Sequence, residues 1–368
     1  MQLFELGTDP SNVHEWDWEA GIREFIQGYL DNKNGGDWDH QDTTLTLRNY
    51  NTRLERKTLL AGYSSKRNDD SQRGKFGDGL TSGICVLLRE GMTITMHNSD
   101  VVWKPIIAYS ELFEHEVVAI EETLADIPDE DYTVMIEGIT ASDMERIVSN
   151  TLDLQDEYEH FYTSQGTILL EEQHKGRIYV GGLFVDHFDS SYGFDFPPEC
   201  FELDRDRKSL KPFDIKWKLK DLISEMSRQD VDEELSDRIV SSMESGDGSM
   251  EYVHHEYASS RNKTFQESAE KLYKEKHDGN IITSSYEEAE KLREAGNKNV
   301  KLVRNEGFVK LVRQTESHQL VFGARKEKEE ISIENLLDNF EEDWQHEMTD
   351  TDFYEAWQKL SEEIKERT

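Results

Sequence analysis

The sequence predicts an α+β protein whose first part is a two-layer α/β sandwich. Two amphipathic helical stretches, Trp18 to Leu30 and Leu80 to Arg89, enclose a glycine run, and a series of short β-type runs follows the second of them. In the first helix Ile22, Phe25, Ile26, Tyr29 and Leu30 recur at i, i+3, i+4, i+7 and i+8, which makes one apolar face. Glu24, Gly28 and Asp31 line a second stripe. Asn32 to Asp42, rich in Asn, Gly and Asp, predicts a loop, and Thr43 to Leu47 predicts a strand from its alternation and β-branching. The run Gly74-Lys75-Phe76-Gly77-Asp78-Gly79 opens directly into the second helix, which Gly91 stops. Thr93 to His97, Val101 to Ile107, Glu116 to Glu121 and Tyr132 to Glu137 complete a sheet of antiparallel strands. No strand immediately precedes the glycines, so a dinucleotide-binding βαβ order is excluded.

Further along, Ser142 to Leu154 predicts a helix with Ser142 and Glu145 as its capping box. Thr167 to Leu170 and Arg177 to Val185 predict strands, the second interrupted by Gly181-Gly182, and Phe213 to Met226 predicts an amphipathic helix. The loose stretch Ser241 to Met250 suggests a boundary. Beyond it, helices at Phe265 to Lys276 and Ser285 to Ala295, with strands in KLVRN and FVKLVR, make a small α+β unit. The acidic end, Ile331 to Thr368, still carries a helical stripe of Phe353, Trp357, Leu360 and Ile364, suited to docking on its own domain or on a partner. The domains expected are 1–140, 141–240, 241–330 and 331–368.

The 368 residues carry 78 acidic and 42 basic side chains, a formal charge of -36, which opposes direct binding to nucleic acid. High internal salt, mimicry of nucleic acid and plain solubility are three possible causes of the excess. Mean hydropathy is -0.78, no window approaches the ~18 apolar residues of a membrane span, and the start lacks a leader pattern, so a soluble, cytoplasmic protein without membrane contact is expected. Cys85 and Cys200 stand far apart and read as core residues rather than as a disulfide or a metal site. His254-His255-Glu256 and Asp37-Trp38-Asp39-His40 lack metal-ligand spacing on a helix and read as surface residues.

The order of these motifs resembles the GHKL superfamily, the ATP-binding fold shared by gyrase B, heat-shock chaperones, histidine kinases and MutL. The resemblance covers roughly Trp18 to Glu137 and extends more weakly to about Ser227. It rests on Glu24-Phe25-Ile26-Gln27-Gly28-Tyr29-Leu30-Asp31-Asn32 for the first motif, Asn49-Tyr50-Asn51-Thr52-Arg53 for the second, and the Gly74 to Gly79 loop for the third, preceded by LLAGYSSKR. It implies a Bergerat-type ATP-binding sandwich, then a βαβ transducer-like domain. It further implies ATP and magnesium as cofactors, Glu24 orienting the attacking water, and Asn49, Lys66, Gly74, Lys75, Phe76, Gly77, Gly79 and Thr133 around the nucleotide. Arg205, in Leu203-Asp204-Arg205-Asp206-Arg207, would be the basic residue returned to the terminal phosphate, with a solvated, locally ion-paired turn as the alternative.

Glycines let the backbone approach phosphates, and the following helix adds its N-terminal dipole. Two positions depart from the family. Gly28 stands where the family has a magnesium-ligating Asn, so that Asp31, Asn32 or Asn34 would have to supply the ligand, and Asn49 stands where an Asp accepts the adenine amino group. The expected function is nucleotide-dependent lid closure around Tyr63 to Gly79 that controls self-association or binding of a protein partner, with slow ATP hydrolysis. The alternative is a nucleotide-independent acidic interaction protein on a degenerate scaffold. The small size and acidity also suit an accessory gene of a phage or mobile element. No GxSxG elbow, dimerisation-histidine helix or strand-cleaving tyrosine domain is recognisable, which argues against a hydrolase of the serine type, a histidine kinase or a topoisomerase.

Overall fold

A computed structural model describes residues 1–60, 62–63, 77–201, 210–226, 228–250, 263–322 and 357. The chain is of the α+β class and divides into two compact units, Met1–Phe265 with Arg304–Phe308, and Gln266–Val303 with Val309–Thr368. No helix among the described residues is long and apolar enough to cross a membrane.

The first unit opens with β1 (Gln2–Thr8), α1 (Trp18–Leu30), β2 (Gly36–Gln41), β3 (Thr44–Asn49), α2 (Gly79–Arg89), β4 (Thr93–Asn98), β5 (Val101–Ser110), β6 (His115–Leu124) and β7 (Tyr132–Glu137). The seven strands form one antiparallel sheet in the order β1-β6-β5-β4-β7-β3-β2, so β7 is inserted between β3 and β4. Strand alternation decides which face is covered. Leu45 and Leu47, Ile94 and Met96, and Val134 and Ile136 join Ile22, Phe25, Ile84 and Leu87 of the two helices in one core.

Asp17 caps α1 by accepting the Ala20 N–H at 2.9 Å. The helices α1 and α2 cross closely through two glycines. A Cβ on Gly83 would lie 3.0 Å from the Gly21 carbonyl oxygen, and one on Gly21 would lie 2.9 Å from Leu87 Cδ2. At the far end of α2, Arg89 donates to the backbone carbonyls of Pro10, Asn12, Val13 and Trp16, fixing the strap that enters α1.

The helix α3 (Ala141–Ser149) is capped by Thr140 and Asp143, not by Ser142 and Glu145. It ends at Ser149, before the Leu154 expected from the sequence, and a short 3₁₀ turn follows at Leu152–Leu154. Met144, Ile147, Leu154 and Leu183 belong to the same core as α1 and α2, so that core runs across the division expected at residue 140. A second sheet follows, built from β8 (His160–Thr163), β9 (Gly166–Leu169), β10 (Arg177–Val180), β11 (Leu183–His187) and β12 (Gly193–Phe196), in the order β11-β10-β12-β9-β8.

The segment Arg177 to Val185, expected as a strand interrupted by Gly181-Gly182, is a hairpin of β10 and β11 turned at those two glycines, whose φ are 59° and 79°. The expected βαβ transducer arrangement is absent among the described residues. The five strands come consecutively, and α4 (Pro212–Met226) and α5 (Glu233–Ser245) follow them. The boundary expected at residues 240 to 241 falls inside α5, which Gly246 ends in the left-handed region at φ 81°.

Among the described residues the helices and strands that follow are α6 (Lys263–Lys276), β13 (Ile281–Thr283), α7 (Tyr286–Glu294), β14 (Val300–Leu302), α8 (Glu306–Arg313) and α9 (Glu316–Phe322). Here a true βαβ crossover occurs, with β13 and β14 parallel and α7 between them. FVKLVR is helical, with Phe308, Leu311 and Val312 buried at i, i+3 and i+4. Of the acidic end, only Trp357 lies within the described residues.

His318, 2% exposed and edge-on to Tyr273 at 5.4 Å, is held neutral by burial, with its pKa pushed down to about 4. The unfolded chain takes up this proton near pH 6.5, so its contribution is complete at pH 7 and above and is lost as pH falls from about 6.5 to 4. Urea titrations between pH 7 and 4 are expected to show a loss of up to about 3 kcal/mol from this group. A His318→Gln chain should lose less over the same interval. Equal acid sensitivity in the two chains would contradict that assignment.

Candidate functional site

On α1 the polar stripe of the sequence is a buried one. Glu24, Gln27 and Asp31 are 8%, 4% and 7% exposed, whereas Gly28 between them is exposed and has open space where a side chain would project. The Glu24 carboxylate lies against Gly79, the first residue of α2, and leaves no room there for a Cβ. A carboxylate at a helix N-terminus is favoured by the backbone dipole, which explains how this acidic group is tolerated in a nearly closed position. Gly77 holds φ 80°, a left-handed turn into α2, and Asp78 is the N-cap residue. One turn into the helix, Thr81 donates to the Leu59 carbonyl at 3.0 Å and ties α2 to the short 3₁₀ helix Arg56–Leu59.

Asn49, at the end of β3, is 4% exposed and donates through Nδ2 to the Tyr29 carbonyl at 3.1 Å, linking the strand to the last turn of α1. Asn32 and Asn34, the loop alternatives for a metal ligand, are engaged in loop bonds. Asn32 donates to the Gly35 carbonyl and accepts from the Asn34 N–H and the Thr52 hydroxyl, while Asn34 donates to the Asn51 carbonyl. Asp31, the C-cap residue of α1, is buried three residues beyond Gly28. Among the described residues no three His, Cys, Asp or Glu side chains converge as a metal cage.

Of the site residues expected from the sequence, Glu24 meets Gly79 at the start of α2, just after the Gly77 turn, while Asn49 bonds the last turn of α1, where Asp31 is the C-cap residue two turns beyond Glu24. Thr133 is at neither place. On β7, Tyr132, Val134 and Ile136 face the helices, so Thr133 points to the opposite face, where its cross-strand neighbours are Arg48 and His97. This corrects the expectation for Thr133, and period-2 alternation is the reason. Lys66, Gly74, Lys75, Phe76 and Arg205 lie outside the described residues.

Three neighbouring side chains were not singled out in the sequence. Gln27 could have been found, because i+3 from Glu24 places it beside that stripe. Asn98, 1% exposed, accepts the Leu54 N–H and donates to the Leu54 carbonyl, both at 2.9 Å, clamping the segment after β3. Asp131 accepts Arg48 Nε at 2.7 Å and the Asn51 N–H at 2.8 Å. Neither role has a sequence signal, since both depend on pairing between distant strands.

Placing an asparagine at Gly28, the residue that the resemblance calls for there, has a definite expected result. With open space at that position, Gly28→Asn should change stability by no more than about 0.5 kcal/mol, because Asn is slightly the better helix former. A loss above about 2 kcal/mol, measured by urea unfolding, would mean that the opening is filled in solution.

No family model matches the chain. It is similar to an uncharacterized protein of Mycoplasma pneumoniae, 21% identical over 227 residues, a match covering 57% of this chain and 92% of that protein.

Proposed function

We propose that the first unit binds ATP with magnesium at the α1–α2 junction, and that nucleotide-dependent closure of the segment around Tyr63 to Gly79 controls self-association or binding of a protein partner, with slow hydrolysis. The observation that carries this reading is the run of buried polar side chains, Glu24, Gln27 and Asp31, interrupted by the opening at Gly28, with Glu24 set against the first residue of α2. Burying carboxylates is costly, and a helix that does so beside an opening and a second helix's N-terminus has the features of a polar site rather than of a core. The available donors are hard oxygens, which suits magnesium held by one or two carboxylates and by substrate phosphates. In this reading Glu24 orients the attacking water and takes up its proton.

Titration calorimetry with ATP and with a non-hydrolysable analogue, each with and without magnesium, tests the proposal. Micromolar binding that strengthens with magnesium is expected. Gly28→Asn should increase the magnesium dependence. Silence under every condition would favour a second reading, a nucleotide-independent acidic interaction protein. The specific observation on that side is that Asn49 ties β3 to the last turn of α1 through an N–H on the Tyr29 carbonyl, a structural role that needs no nucleotide.

A further inference from the structure

A separate concave site lies on the five-stranded sheet, a cavity of about 310 Å³ lined by Tyr158, which leads into β8, by Tyr162 on β8 and by Thr167 on β9. Strand register sets Tyr162 directly opposite Thr167, so the two side chains stand side by side on one face. β8 is an edge strand, and Tyr162 is 70% exposed, so its ring is open to solvent. Gly166, Gly181 and Gly182 bring only backbone to the wall and leave the concavity open. Among the described residues, the hydroxyls of Tyr158, Tyr162 and Thr167 bond to no other group of the protein. Burial, and then the charges of Asp195 and Asp153, push the Tyr158 phenol above its ordinary pKa, so it remains a donor throughout the neutral range. No lysine, arginine or histidine is among the described residues lining the cavity, so a phosphate or carboxylate ligand would find no counter-charge there.

We propose that this cavity binds a neutral pyranose sugar, with the Tyr162 ring as platform and the hydroxyls of Tyr158, Tyr162 and Thr167 as hydrogen-bond partners. The axial C–H bonds of a pyranose carry partial positive charge and an aromatic face carries partial negative charge. The two attract, and stacking withdraws the exposed ring from water. A sugar hydroxyl both donates and accepts, as do the hydroxyls of tyrosine and threonine, so the three groups match a polyol without an ionic partner. An aliphatic ligand would cover the same hydroxyls and leave them unsatisfied. The volume lies at the lower end of the ~300–1,000 Å³ of ligand cavities, which suits one sugar ring better than a length of peptide. Sugar binding here does not require the nucleotide site.

Saturation-transfer NMR and calorimetric titration of the full chain with methyl β-D-glucopyranoside and methyl β-D-galactopyranoside test it. Sorbitol serves as the open-chain control, and acetyl-Pro-Pro-Pro-amide as the peptide control. Saturable one-site binding of at least one pyranoside and none of sorbitol is expected. Tyr162→Ala, at a largely exposed side chain, should weaken that binding at least fivefold, and Tyr162→Phe, which keeps the platform, should weaken it less. Thr167→Val removes a hydroxyl while keeping a β-branched strand residue, and a loss of at least threefold is expected. Circular dichroism checks the fold of each variant. Silence toward both pyranosides, equal binding of sorbitol, or affinity unchanged by all three substitutions would overturn the proposal. Binding of the peptide without binding of either sugar would overturn it too, in favour of a docking groove for proline-rich chains.

Discussion

Gly83→Val is expected to destabilise the first unit by about 3 kcal/mol, lowering its thermal midpoint by roughly 6–12 °C for a unit of this size. The cause is the α1–α2 crossing. A Cβ alone at position 83 would approach the Gly21 carbonyl oxygen to 3.0 Å, Phe25 Cε2 to 3.2 Å and Glu24 Cβ to 3.3 Å, and valine adds two methyl groups to that space. A backbone carbonyl cannot rotate away as a side chain can, so α1 and α2 must separate. Gly83→Ala is the informative control, because its gain in helix propensity of about 1 kcal/mol offsets much of the milder crowding. Differential scanning calorimetry of both variants checks the ordering, and a valine variant as stable as wild type would mean that the helices do not cross this closely in solution. Separating the helices would also move Glu24 away from Gly79, coupling the packing to the site.

The second large effect concerns Glu24 and rests on the proposed ATP reading. Glu24→Gln should lower ATP turnover at least 100-fold, the scale of a lost general base, while ATP affinity stays within about threefold. Glutamine keeps the size of the side chain beside Gly79, so the fold should survive, whereas Glu24→Ala would empty a buried position as well. Steady-state hydrolysis read together with calorimetric affinity makes the separation. Turnover equal to wild type would remove Glu24 from the chemistry, and joint loss of binding and turnover in a folded variant would make it a binding residue instead.

Legibility in the sequence followed how local the determinant was. The helix α1 was predictable from Trp18 to Leu30 because its apolar positions and its end all lie within one stretch, and β7 was equally clear. Gly36–Gln41 reads as a loop because Gly, Asp and His dominate it. It is nevertheless β2, since an edge strand needs only its alternating Trp38 and His40 on the half-buried side and a full ladder to β3. FVKLVR misled for a different reason, as a short valine-rich run satisfies both periods and only its burial at i, i+3 and i+4 decides. At the candidate site, the glycines and the α1 stripe were legible from spacing. The face on which Thr133 lies was not, because it depends on which side of the sheet the helices cover, a fact that no local window contains.

The insertion of β7 between β3 and β4 has a consequence for the newly made chain. Until Glu137 has left the ribosome, β3 and β4 cannot be joined through their shared neighbour, and each emerges with a hydrogen-bonding edge unsatisfied by its final partner. The first strand waits comparably long, since β1 pairs with β6, more than a hundred residues downstream. Closing such distant pairings is slow, and slow closure lengthens the interval in which bare strand edges can meet those of other nascent chains. The high density of negative charge along the sequence would then act earliest as mutual repulsion between those incomplete chains, before any folded surface exists.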